Sequence, residues 1–140
     1  MVPSSGIVYI DTSCIIYSVE RHADYYQLLL PLWIAAKSGE IQIVSSQLTI
    51  MESLTGPLRS GNTSAVEEYE ELFRESYIRF YAVSESILRN AATLRARTSL
   101  RTPDAIHGAT ALQVGANLLV TNDAHFSQLS GISIAILKDN

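Results

Sequence analysis

Four acidic residues stand where they could do chemistry together: Asp11, Glu52, Asp104 and Asp123. Asp11 and Asp123 each follow a short apolar run, and Asp104 lies at the start of a helical pattern. In an open parallel sheet, ligands bind at the carboxyl ends of the strands. Carboxylates gathered in a partly buried place repel one another, and a hard divalent cation relieves that repulsion. The set therefore predicts a site for Mg²⁺ or Mn²⁺, which suits phosphoryl chemistry.

Taken singly, each acid has a simpler explanation. Asp11 and Asp123 could cap the helices that follow them. Asp104 stands where a helix dipole favours a carboxylate, and Glu52 could be an exposed helical residue. Apolar residues at helical spacing on both sides of Glu52 nevertheless place it near a buried face. The case for a shared site therefore depends on the four together.

The elements that must position these acids alternate between strands and helices. Apolar runs predict five strands, at 7–10, 41–44, 77–83, 118–120 and 132–136. Helical patterns cover 12–20, 24–38, 46–55, 64–76, 85–98 and 102–114. We expect Pro31 to kink or divide the second helix and Gly56-Pro57 to close the third. For the last helix we expect Thr102 as N-cap, followed by Pro103. This alternation predicts an α/β fold with a mainly parallel, helix-covered sheet.

Length and composition predict one soluble domain spanning residues 1–140. The chain is 47% hydrophobic and 17% charged, which is typical of a globular protein. Its single cysteine, Cys14, excludes an internal disulfide and a cysteine-based zinc site. The longest apolar stretch, 25–36, is too short to cross a bilayer. We therefore expect no membrane association and a reducing, cytoplasmic setting.

The net charge of −4 by itself disfavours a nucleic-acid partner, but the charges are unevenly distributed. Arg95, Arg97 and Arg101 lie in a segment without acids between Glu85 and Asp104. These arginines could hold a nucleic-acid backbone along a strip that leads towards Asp104. Ordinary solvated arginines explain the segment equally well, so both interpretations stay open.

Four segments of the chain resemble the PIN-domain family, and more narrowly the VapC-type toxin ribonucleases of toxin–antitoxin modules. They are residues 9–13, 46–54, 101–112 and 120–126, which contain the four acids in the family's order and span almost the whole chain. The resemblance implies a three-layer α/β/α fold with a mainly parallel central sheet of four to five strands. It also implies hydrolysis of RNA by a water nucleophile that depends on Mg²⁺ or Mn²⁺.

In the family's pattern the four acids form the catalytic metal site. Asp11, Asp104 and Asp123 would bind the cation directly, whereas Glu52 would either bind it or act through water. The resemblance also implies three polar side chains that line the site: Thr12, Ser13 and Asn122. For this chain it implies a homodimer, an RNA substrate and an antitoxin partner that blocks the site.

Other functions remain open at this stage. A PIN-like nuclease could process RNA outside a toxin pair, and a PIN-like fold could serve as a non-catalytic interaction module. A phosphatase of the haloacid dehalogenase type needs a second aspartate where Ser13 stands. A receiver domain needs a lysine near the acids, and neither Lys37 nor Lys138 is suitably placed. His107 lies one helical turn after Asp104, and we expect it to pack or hydrogen-bond near the site rather than bind metal.

Overall fold

The predicted strands form a single five-stranded sheet in the computed structural model, which describes all 140 residues. The strands are β1 (Ile7–Ile10), β2 (Gln42–Ser46), β3 (Ile78–Tyr81), β4 (Leu118–Thr121) and β5 (Ser133–Ile136). The helices are α1 (Thr12–Val19), α2 (Tyr26–Lys37), α3 (Leu48–Ser60), α4 (Thr63–Phe73), α5 (Glu85–Arg97) and α6 (Thr102–Gln113). A 3₁₀-helix (Ala124–Gln128) follows β4, and another (Leu137–Asp139) follows β5.

All neighbouring strands are parallel, and their spatial order is β3-β2-β1-β4-β5. The chain builds outward from β1 to β3 and then returns to the other side of β1 with β4. The strand order thus reverses between β1 and β4, where Ile10 is paired with Val120. Crevices at such a switch point are the usual ligand sites of open parallel sheets. Residues that follow β1 and β4 are therefore placed side by side.

Alternation along the strands gives the sheet two separate apolar cores. Val8 and Ile10 pack with residues of α1, α2 and α4, whereas Tyr9 between them packs with residues of α5 and α6. Successive side chains of a strand point to opposite faces, so a strand buried on both faces feeds two cores. The expected three-layer α/β/α architecture with a parallel central sheet is confirmed.

The prediction that Gly56-Pro57 closes the third helix was wrong. Helix α3 runs through both residues to Ser60 and ends at Gly61, whose φ is 69°. A proline disfavours helical conformation in the residue before it partly through a clash with the Cβ of that residue. Gly56 has no Cβ, so the helix passes the proline and stops one turn later at a left-handed glycine.

One of the two outcomes expected at Pro31 was wrong, and so was the expected N-cap of α6. Pro31 does not divide α2, which is continuous around it. The N-cap of α6 is Arg101 rather than Thr102, and Thr102 is the first helical residue. Asp104 still lies in the first turn, as predicted. None of the helices combines the length and the apolar character that crossing a membrane requires.

Candidate active site

Asp11 lies at the end of β1 and is the N-cap of α1. Its Oδ1 accepts hydrogen bonds from the Ser13 hydroxyl at 2.7 Å and from the backbone N–H of Cys14 at 3.2 Å. Its Oδ2 accepts one from the hydroxyl of Thr121, at the end of β4, at 2.6 Å. The residue is only 6% exposed. Asp11 is therefore held on both oxygens by groups from two adjacent strand ends.

Glu52 reaches the same region from α3. Its Oε1 accepts a hydrogen bond from the Thr12 hydroxyl at 2.7 Å and lies 2.9 Å from Nε2 of His107. Burial raises the pKa of this carboxyl, but the hydrogen bonds from His107 and Thr12 outweigh burial and hold the pKa below its ordinary value. Glu52 is therefore an ionised carboxylate at neutral pH with one oxygen fixed.

Asp104 stands in the first turn of α6 and is half-buried. Neither of its oxygens accepts a hydrogen bond within the chain. Burial and the negative charge of Asp123 raise its pKa, with smaller contributions from Asp11 and Glu52, while a protonated His107 would act in the opposite direction. Because the other three acids all act on Asp104, the four carboxylates occupy one electrostatic neighbourhood.

Asp123 follows β4 and caps the short 3₁₀-helix after it. Its Oδ1 accepts the backbone N–H of His125 at 2.9 Å and lies 2.7 Å from Nδ1 of the same residue. Burial raises the pKa of Asp123, but the two contacts with His125 outweigh burial and lower the pKa overall. Its Oδ2 accepts no hydrogen bond, so this carboxylate keeps one free oxygen.

The three predicted lining residues differ in what they contact. Thr12 donates to Glu52 and Ser13 donates to Asp11, so both stand directly against the acids. The Asn122 amide donates to Tyr17 Oη at 3.3 Å, and its carbonyl oxygen accepts the backbone N–H of Lys138 at 2.9 Å. Asn122 thereby braces the loop after β4, and its hydrogen bonds do not involve the carboxylates.

The three predicted backbone-binding arginines are exposed. None of Arg95, Arg97 and Arg101 forms an ion pair with an acid of the chain. Arg95 donates from Nε to the carbonyl of Leu100 at 3.4 Å, and Arg101 occupies the N-cap position of α6 without a capping hydrogen bond from its side chain. Their positive charge is therefore available to an anion near the amino end of α6.

The carboxylate oxygens of the four acids are suitable ligands for a hard cation, but the side chains are too far apart to surround one. Oxygens without a hydrogen-bond donor are present on Asp104, Asp123 and Glu52, and oxygen is the donor that Mg²⁺ and Mn²⁺ prefer. No group of three or more acidic, histidine or cysteine side chains is close enough to hold a metal ion. Like charges with no cation between them repel, so binding of a cation would have to draw these side chains together.

Sequence reasoning did not assign a role to Thr121 or to Tyr9. Thr121 is fully buried and donates to Asp11, and Tyr9 is fully buried and contacts His107. A polar residue at the end of a buried strand was the available signal, because buried polar groups need partners. His107 hydrogen-bonds near the site, as expected from its position one turn after Asp104.

The model of the family described as "PIN domain" matches residues 8–132. The chain belongs to the PIN-domain family. No match was found among curated proteins. The match includes all four acids and both sides of the β1–β4 switch point.

Solved structures share this PIN fold at low sequence identity. VapBC2 from Rickettsia felis, bound to a DNA fragment from its promoter, has a TM-score of 0.74 at 19% identity, covering 93% of this chain and 98% of that chain. VapC20 of Mycobacterium tuberculosis, described as a sarcin-ricin-loop-cleaving toxin, has a TM-score of 0.72 at 18% identity, with coverages of 89% and 95%. A toxin–antitoxin complex from Klebsiella pneumoniae has a TM-score of 0.67 at 21% identity, with coverages of 89% and 94%.

Proposed function

We propose that this PIN-domain protein is a metal-dependent endoribonuclease and the toxin of a type II toxin–antitoxin pair. The observation that supports the proposal is that Asp11, Glu52 and Asp123 all act electrostatically on Asp104, close to the β1–β4 switch point. Burial, together with the charges of the neighbouring acids, raises the pKa of Asp104 and destabilises its charged form. A cation-dependent function explains why the chain tolerates that repulsion.

The four carboxylates divide between two parts of the proposed reaction, cation binding and proton transfer. Asp11, Asp104 and Asp123 would hold Mg²⁺ or Mn²⁺, which supplies charge for the scissile phosphate and lowers the pKa of the attacking water. Oε2 of Glu52, which accepts no hydrogen bond, would receive the proton of that water. Arg95, Arg97 and Arg101 would hold the RNA backbone on its way to Asp104.

The partner proposals rest on similarity to toxin–antitoxin structures. The Klebsiella pneumoniae neighbour is a toxin–antitoxin complex, and another neighbour belongs to VapBC-5 of Mycobacterium tuberculosis. For this chain we propose a small antitoxin protein that covers the acidic site, a homodimeric toxin and action in the cytoplasm. Light scattering of the purified protein tests the dimer, and a monomer at micromolar concentration would contradict it.

A second candidate is a non-catalytic PIN-like interaction module. The spacing of the acids favours it, because no three of them are close enough to hold a metal ion. The four retained carboxylates count against it, since a protein without a cation gains nothing from gathering like charges. Binding of Mn²⁺ distinguishes the two candidates: the module would not bind it at millimolar concentration.

The decisive experiment is cleavage of a total RNA pool by the purified protein with Mn²⁺ or Mg²⁺. We expect discrete products that disappear with EDTA and fall at least ~100-fold in Asp11→Asn and Asp104→Asn. Glu67→Gln is the matched control, because it makes the same carboxyl-to-amide change on an exposed face of α4. Cleavage that persists in both aspartate variants, in protein shown to be folded, would contradict the nuclease proposal.

A further inference from the structure

A chain of buried polar side chains runs beneath the acidic site from β1 to α3. Tyr9 is fully buried, and its Oη lies 2.6 Å from Nδ1 of His107, a residue that is only 2% exposed. On the other side of the imidazole ring, Nε2 lies 2.9 Å from Oε1 of Glu52. The ring therefore joins a hydroxyl of the central strand to a carboxylate of the site.

The hydroxyl proton of Tyr9 decides which tautomer the ring adopts. A phenolic hydroxyl carries its proton at neutral pH and can donate it in a hydrogen bond. On the opposite side of the ring, Oε1 of the Glu52 carboxylate can only accept, so the 2.9 Å contact calls for a donor on Nε2 and leaves Nδ1 of the neutral ring to accept from Tyr9. A nitrogen that accepts a hydrogen bond carries no proton itself, so the ring proton stands on Nε2.

Glu52 then receives two donors on the same oxygen. With its proton on Nε2, the ring donates to Oε1 at 2.9 Å, and the Thr12 hydroxyl, which also lies 3.2 Å from Nε2, donates to the same oxygen. The Thr12 hydroxyl is itself 3.0 Å from Oγ1 of the fully buried Thr49. A glutamate side chain has several rotatable bonds, and two donors on one oxygen restrict it to few rotamers. Oε2, which has no donor, is left as the reactive oxygen.

We propose that His107 is a positioning residue, which Tyr9 holds in the tautomer with its proton on Nε2. In this tautomer His107 turns Oε1 of Glu52 inward and leaves Oε2 for the substrate side. This inference rests on the nuclease function proposed above and deepens it. His107 lies one turn after Asp104, so α6 positions one acid directly and a second acid through the ring. In the same way, β1 positions Asp11 directly at its end and positions Glu52 indirectly, through Tyr9 and the ring.

The tautomer is measured without any activity. Two-bond ¹H–¹⁵N NMR correlations of the imidazole ring, recorded on the full-length metal-free protein at neutral pH, are expected to place the His107 proton on Nε2. In Tyr9→Phe the acceptor nitrogen loses its donor, and we expect the ring to become a mixture of tautomers. A proton found on Nδ1 in the wild type, or a ring unaffected by Tyr9→Phe, would overturn the proposal.

The positioning role is measured with two amides of different reach. The side-chain nitrogen of His107→Gln extends to the place of Nε2, whereas that of His107→Asn reaches only the place of Nδ1. We expect His107→Asn to lose about 10–100-fold in kcat for RNA cleavage with little change in KM. His107→Gln is expected to retain more of the rate.

Equal rates in the two amide variants, both shown to be folded by circular dichroism, would show that donation from the Nε2 position is irrelevant and overturn the proposal. Failure of the underlying nuclease function is distinguishable. In that case the wild type itself would not cleave RNA, while the NMR experiment would still decide the tautomer.

Discussion

Asp11 and Asp104 are the same residue type in one site, yet their surroundings are opposite. Asp11 is buried and receives hydrogen bonds from Ser13, Cys14 and Thr121. Asp104 receives none, and burial and neighbouring acids raise its pKa. The difference separates a carboxylate that the fold holds in advance from one that, under the proposed function, a bound cation would stabilise.

The largest effect is expected for Thr121→Val, which acts on Asp11, the carboxylate held by hydrogen bonds. This change keeps the shape of a fully buried residue but removes the donor to Oδ2 of Asp11, together with the acceptor for the backbone N–H of Asp123. Because hydrogen bonds to charged groups are strong, we expect the free energy of unfolding to fall by about 1.5–3 kcal/mol. Urea denaturation measures this free energy of unfolding. The control is Thr93→Val, which makes the same change at an exposed residue. An equal change in both variants would mean that Asp11 does not depend on this hydroxyl.

A smaller effect of opposite sign is expected from Asp104→Asn in the metal-free protein. The helix dipole favours a carboxylate at this position, so a raised pKa means that burial and the neighbouring acids outweigh the dipole. Because Asp104 is only half-buried and solvent screens its charge, we expect the variant to gain no more than about 0.5 kcal/mol of unfolding free energy at pH 7.

The sign of the pH dependence follows from the direction of that pKa shift. A folded state with a raised carboxyl pKa loses stability as pH rises from the unfolded pKa through the folded pKa. The advantage of Asp104→Asn should therefore vanish at acid pH, and Mn²⁺ should stabilise only the wild type. Thermal unfolding across pH checks both expectations, and a variant that is less stable at pH 7 would refute them.

The smallest expected effect concerns Asp123, which has one hydrogen-bonded and one free oxygen and is therefore intermediate between Asp11 and Asp104. His125→Ala removes the ring contact with Oδ1 but keeps the backbone N–H of that residue. The pKa of Asp123, now below its ordinary value, should rise part of the way back. A ¹³C-carboxyl NMR titration of metal-free protein measures it, with His22→Ala as control. An unchanged titration would show that the ring contact has no influence on this carboxyl.

Much of the fold was predictable because its signals are local. Each strand is a short apolar run, and the acids after β1 and β4 stand at the ends of such runs. The error at Gly56-Pro57 arose because the usual turn signal was read without regard to the missing Cβ of glycine. The N-cap of α6 was misplaced by one residue, since a short polar side chain next to a proline marks a helix start only approximately.

The amino-acid sequence by itself determined the parallel α/β class, the four acids and their positions relative to strands and helices. Only the tertiary structure decided which oxygens are occupied and which are free. Thr121 reaches Asp11 from 110 positions along the chain, and Tyr9 reaches His107 from 98 positions away. Hydrogen bonds act over about 3 Å in space and carry no periodic signal in sequence, so contacts between such distant residues appear only once the strands are ordered.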